Sequence, residues 1–170
     1  FLKTDCMSET IVDELEPACA NLGPNHAAEN GISGRLYARM GIKGEPSFPG
    51  VDKTIKNMSA RDNMVVAVPN KYEIPAHLVN ADCKMASIIH VFTPDLNSKR
   101  WNSMGADECK SLLVNELAIV YKQMFVASLA ISSTSISFPP LGDEKDMSWS
   151  RDEYHTLTIQ AICVGWGQLE

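Results

Sequence analysis

Three stretches of the 170-residue chain gather side chains or backbone able to do chemistry. The first is Pro139-Pro140-Leu141-Gly142-Asp143-Glu144-Lys145-Asp146, where three carboxylates and a lysine directly follow a glycine. Clustered carboxylates suit a divalent cation, but this run lacks the spacing of a calcium loop and reads better as a solvated loop. The second is Glu29-Asn30-Gly31-Ile32-Ser33-Gly34. Glycines let backbone amides approach a phosphate, and a helix that follows adds the positive end of its dipole. Gly34 serves equally well to let a helix pack closely. The third is Ala18-Cys19-Ala20-Asn21, small residues ending in an amide. Asn21 either offers its amide to a ligand or forms the turn before Gly23-Pro24, with Asn25 and His26 next in the same loop. His90 lies within an apolar run and reads as a satisfied core histidine. Ser132-Ser133-Thr134-Ser135 is a hydroxyl-rich turn without the glycine-flanked serine of a hydrolase elbow. No nucleophile stands beside a base.

Bulk properties narrow the classes. Net charge is −6 and the isoelectric point is near 5.2, which argues against a dedicated nucleic-acid binder while leaving room for a local basic patch. Apolar residues at 45% and charged residues at 21% fit one globular domain rather than a disordered chain. No unbroken apolar run approaches 18 residues, so no transmembrane helix is expected. The start, Phe1 to Asp5, lacks the parts of a signal peptide. The five cysteines (Cys6, Cys19, Cys83, Cys109 and Cys163) are odd in number and scattered, which favours buried free thiols in a reducing compartment over disulfides or zinc. A cytoplasmic or nuclear protein, not a secreted one, is the expectation, although Asn57-Met58-Ser59 formally matches a glycosylation sequon.

The elements that must position these residues alternate between helix and strand, as in α/β proteins. Thr10 to Glu16 reads as an amphipathic segment ended by Pro17. Ile32, Leu36 and Met40 share a helical face over 31–40, capped by Gly41. A short helix is expected around Val51 to Met58. Strands are expected near 64–69, 87–92 and 135–138, the last stopped by Pro139-Pro140. The strongest helical pattern spans about 107–128, with Leu113, Leu117, Val120 and Met124 on its apolar face and Asp107 and Glu108 at the positive end of its dipole. Ser150-Arg151-Asp152-Glu153 is a capping-box pattern, which favours a terminal helix lined by Leu157, Ala161 and Val164. Near-alternating β-branched residues over 156–164 keep a strand open as the alternative. Trp101, Trp149 and Trp166 fall in or near loops.

In their order and spacing, three of these motifs resemble the macro domain family. Val65-Val66-Ala67-Val68-Pro69-Asn70-Lys71-Tyr72-Glu73-Ile74-Pro75-Ala76, then Ile88-Ile89-His90-Val91-Phe92-Thr93-Pro94, is similar to the family's central strand, turn and following strand. Ser135-Ile136-Ser137-Phe138-Pro139 is similar to the strand feeding its second ligand loop, and Gly31-Ile32-Ser33-Gly34 sits where its glycine-rich first loop begins. The resemblance spans nearly the whole chain. It implies a three-layer α/β/α sandwich with a central mixed sheet, one domain over residues 1–170, clipped at both ends from a larger protein such as a viral replicase polyprotein.

The resemblance also implies a ligand, ADP-ribose, with no further cofactor and no metal. It places Asp5 at the adenine amine and Asn21 at the distal ribose, where it would also be the catalytic residue of a hydrolase. Gly31, Ile32 and Gly34 would serve the first phosphate loop; Leu141, Gly142 and Asp143 the second; Trp149 would cover a ring. Read from the residues alone, Asp5 fits an exposed loop or N-cap about as well, and Trp149 fits core or lid packing. The family's three consecutive glycines are reduced here to Glu29-Asn30-Gly31. Asp143, Glu144 and Asp146 stand where a dianionic ligand belongs. Repulsion between two unit charges at 4 Å is about 1 kcal/mol in bulk water and about 4 kcal/mol at an effective dielectric of 20. Three readings follow: a weakened binder of ADP-ribose or a related nucleotide, free or on an ADP-ribosylated protein; a degenerate scaffold contacting protein or RNA; and, last, a mono-ADP-ribosyl hydrolase. The module is expected to be monomeric and to have no membrane partner.

Overall fold

The structure, a computed structural model, describes residues 10–15, 65–69, 87–93, 104–142 and 150–169. These form mixed α/β structure: four strands in one sheet and two helices. Strand β1 spans Thr10–Leu15, β2 Val65–Pro69, β3 Ser87–Phe92 and β4 Ile136–Ser137. Helix α1 spans Ala106–Ala130 and α2 spans Arg151–Gly167. The sheet order is β2-β3-β1-β4. β1 lies parallel to both β3 and β4, and β2 is antiparallel to β3.

The inner position of β3 explains its composition. Ile88, Ile89, His90, Val91 and Phe92 are all buried, as expected of a strand covered on both faces. β1 was the less legible strand. Its sequence, TIVDEL, mixes charges into an apolar run and reads only as amphipathic, yet it pairs with β3 along its whole length. β4 is shorter than expected, two residues, because Pro139 follows within two positions and cannot donate to a ladder.

The apolar face expected of α1 is its buried face: Leu113, Leu117, Val120 and Met124 are fully enclosed, joined by Tyr121 and Phe125. The helix packs over β2 and β3 and along α2. Its N-cap, Gly105, makes no side-chain cap, and Asp107 and Glu108 complement the first turn. At the other end Ser132 N–H donates to Leu129 O and Ser133 N–H to Ser128 O, a Schellman stop. Ser132 takes the left-handed position at φ 54°, where glycine is usual. Over an 18-residue window the mean hydropathy of α1 reaches 1.3, so by length and composition it could cross a membrane. The expectation of no such helix rests on unbroken apolar runs; a buried core helix passes the same length-and-composition test, and the buried residues of α1 belong to the core shared with the sheet and α2.

The capping box settles the C-terminal alternative in favour of helix. Glu153 N–H donates to Ser150 Oγ at 3.2 Å, and Ser150 N–H donates to Glu153 Oε2 at 3.3 Å. Lys110 joins Glu153 near the starts of both helices, and Phe125 meets Trp166 near their ends, so α1 and α2 run in the same direction. They are in close contact at Gly165, where a Cβ would lie 2.7 Å from Ala118 O and 3.0 Å from Lys122 N. Two expectations for this segment, those for Val164 and Cys163, are corrected. Val164 is 39% exposed rather than lining the interface, because its place on the helix points away from the Leu157–Ala161–Gly165 row that faces inward. Trp166, expected in or near a loop, lies in the last turn of α2, one residue before its end. Neither Cys163 nor Cys109 is in a disulfide, but Cys163 is exposed, whereas Cys109 is buried as expected. The segments 31–40 and 51–58, the sequon and the remaining cysteines lie outside the described residues.

Candidate functional site

Three polar arrangements lie on β1: one sealed in its middle, one half-buried at its carboxyl end and one rich in hydroxyls at its start. Asp13 and His90 are register partners on parallel strands, so their side chains leave the same face of the sheet. His90 Nδ1 and Asp13 Oδ2 are 2.8 Å apart, and neither side chain has solvent exposure. This is the satisfied core histidine expected from its apolar neighbours. Enclosed on matching positions, the pair fixes the register of the two inner strands.

The second arrangement is at the carboxyl end of β1, the end where open α/β sheets place ligands. After β4 the chain continues alongside β1 and reaches Glu14 at Gly142. Gly142 N–H donates to Glu14 Oε1 at 2.6 Å. This is a short, charge-assisted bond. Gly142 has φ 95°, a conformation open to glycine and costly for other residues. The preceding residue is held from both helices: Leu141 N–H donates to Tyr121 Oη at 3.1 Å, and Tyr154 Oη donates to Leu141 O at 2.5 Å. The Leu141 side chain is fully buried, while Glu14 and Gly142 are half-buried. Burial pushes the Tyr121 phenol above its ordinary range; the nearby Glu14 carboxylate adds to that push, and the bond to Leu141 opposes it. Tyr121 therefore works as a neutral hydrogen-bonding post. Phe125 and Phe138 pack around it, with ring centroids 6.4 and 5.8 Å from its own.

The opposite end of β1 is tied down by the hydroxyl-rich turn. Thr10 Oγ1 and Ser133 Oγ share a hydrogen bond of 2.7 Å, Ser133 Oγ donates to Ser135 O, and Thr10 N–H donates to Ser135 O. Those hydroxyls are engaged in anchoring α1 to the sheet, consistent with a turn rather than a catalytic elbow.

Of the residues expected at a site, Leu141 and Gly142 are brought to the carboxyl end of β1 together. Asp5, Asn21, Gly31, Ile32, Gly34, Asp143 and Trp149, with Asn25 and His26, lie outside the described residues. Glu14, Tyr121 and Tyr154 were not anticipated. The signal for Glu14 was a charged pair, Asp13-Glu14, inside a strand-length apolar run; the tyrosines carry no motif and become visible only once both helices converge on Leu141. Among the described residues no group of three or more His, Cys, Asp or Glu side chains could hold a metal ion. A shallow depression of about 240 Å³ between the helices is lined by Lys110, Ser111, Val114, Asn115, Leu157 and Gln160. It is smaller than typical ligand pockets, and its lysine is already held by Glu153. No protein-family model matches the chain, and a search of curated proteins finds no significant match.

Proposed function

We propose that the chain is a divergent macro-like α/β/α module that binds ADP-ribose, or a related nucleotide, weakly. The observation that supports this reading best is the Leu141–Gly142 corner. A glycine amide at the carboxyl end of a parallel inner strand, held by a tyrosine from each helix, is a pre-organised donor for an oxyanion. Pre-organisation matters because ordering a loop on binding costs affinity. As the family resemblance implies, this reading rests its adenine contact on Asp5, its distal-ribose contact on Asn21 and its first phosphate loop on Gly31, Ile32 and Gly34. Charge works against the ligand: three carboxylates follow Gly142 in the sequence, and net charge is −6.

A second reading, a macro-derived scaffold that contacts protein or RNA, is favoured by one feature. The Gly142 amide already carries a carboxylate, Glu14, where a phosphate oxygen would bind. Calorimetric titration of the chain with ADP-ribose separates the two. Saturable heat supports the binding module, and its absence supports the scaffold.

A further inference from the structure

We infer that Glu14 is an internal anion seated on the Gly142 amide, and that an external phosphate-type oxyanion can use this amide only when Glu14 withdraws. The inference deepens the nucleotide-binding reading and rests on the same corner. The amide already holds one anionic group, since the Glu14 carboxylate oxygen lies 2.6 Å from it. The seat is rigid, because Leu141 is bonded through both its N–H and its carbonyl to Tyr121 and Tyr154. It lacks a side chain that would block approach, because residue 142 is glycine at φ 95°. It also borders solvent, since Glu14 and Gly142 are both half-buried, in contrast to the sealed Asp13 one residue earlier. A carboxylate and a phosphate oxygen make the same charge-assisted bond to a backbone amide, so the two compete for one donor. Glu14 thus sets the affinity of the site by occupying it. It is a positioning residue for the loop and a competitor of the ligand.

The test follows the Gly142 amide by NMR in the full 170-residue chain, titrated with inorganic pyrophosphate, for wild type, Glu14→Gln and Glu14→Ala. In wild type the amide proton resonates downfield, as a short bond to a carboxylate requires, and pyrophosphate moves it little. In Glu14→Ala the resonance shifts upfield in the free protein and then responds saturably to pyrophosphate, at least tenfold more tightly than in wild type. Glu14→Gln, which keeps the shape and hydrogen bond without the charge, falls between the two and serves if the alanine variant does not fold. An equal response in wild type and variants, or none in any, overturns the inference. Titration of the same proteins with ADP-ribose keeps the two claims apart. If Glu14→Ala responds to pyrophosphate while no variant binds ADP-ribose, the internal anion stands and the nucleotide reading falls.

Discussion

Asp13 and His90 meet across β1 and β3 with 2.8 Å between Oδ2 and Nδ1, both wholly enclosed, at matching positions of a parallel pair. A one-residue slip of either strand would send one of the two to the opposite face, so the contact defends the register on which Glu14, the next residue of β1, depends.

Removing one partner should therefore be severe. His90→Ala or Asp13→Ala is expected to cost about 2–4 kcal/mol, because each removes one side of an enclosed hydrogen bond and leaves a cavity in the sheet. The double substitution Asp13→Leu with His90→Leu should cost less than the sum of the single changes. Urea unfolding of the four proteins measures this; losses under about 1 kcal/mol for the single variants would contradict the enclosed pair.

Gly165→Ala offers a case in which helix propensity and packing disagree. Alanine is favoured over glycine inside a helix by about 1 kcal/mol. Here the added Cβ meets Ala118 O at 2.7 Å, backbone that cannot swing away. The helices must separate, and the expected net result is a loss of about 1–3 kcal/mol. A higher Tm in thermal unfolding would show that α1 and α2 are not so closely apposed.

Two helix ends give opposite signs. Ser132→Gly should stabilise by about 0.5–1 kcal/mol, since glycine takes the left-handed stop at φ 54° without the Cβ penalty. Ser150→Ala should destabilise by about 1 kcal/mol through loss of the capping box. Both are read from denaturant midpoints at unchanged slope.

The Lys110–Glu153 contact predicts a small acid-sensitive component. The hydrogen bond from Lys110 holds the Glu153 carboxyl below its ordinary value, helped by the Ser150 amide, and Glu153 raises Lys110 in turn. A lowered folded-state value means the stabilisation is present above the ordinary glutamate range and fades as pH falls through the depressed value. Lys110→Met should flatten that part of the Tm–pH profile, and added salt should weaken the effect in wild type because the pair is solvent-accessible. An unchanged profile in Lys110→Met would show that Lys110 does not hold the carboxyl down.

Much of this fold could be read in the chain where pattern and packing agree. The run Ser87–Phe92 is apolar because it is covered on both faces, and the Leu113–Leu117–Val120–Met124 spacing matches the buried face of α1. The capping box gave the start of α2 because its hydrogen bonds are local. The site was harder, because its bonds join distant positions. Glu14 and Gly142 are 128 residues apart, and Tyr121 and Leu141 are 20 apart, so no short motif records either contact. β1 was obscured for a related reason: Asp13 looks like a surface residue until His90 is placed beside it. Leu141 and Gly142 were named only through the family resemblance, which puts a ligand loop there; their bonds to Tyr121, Tyr154 and Glu14 are visible only in the structure.

The acidic stretch after Gly142 should oppose an anionic ligand. Changing Asp143, Glu144 and Asp146 to Asn, Gln and Asn is expected to tighten ADP-ribose binding, with a gain that shrinks as salt rises. An unchanged affinity, measured by calorimetry at low and high salt, would show that these charges do not act on the ligand.

Calorimetric titration of the unmodified chain with ADP-ribose tests the binding claim most directly. Saturable binding weaker than micromolar is expected, with Kd in the range of about 10 µM to 1 mM, or roughly 4–7 kcal/mol. Absence of saturable heat, in the wild-type chain and in the triple neutralised variant alike, would contradict it.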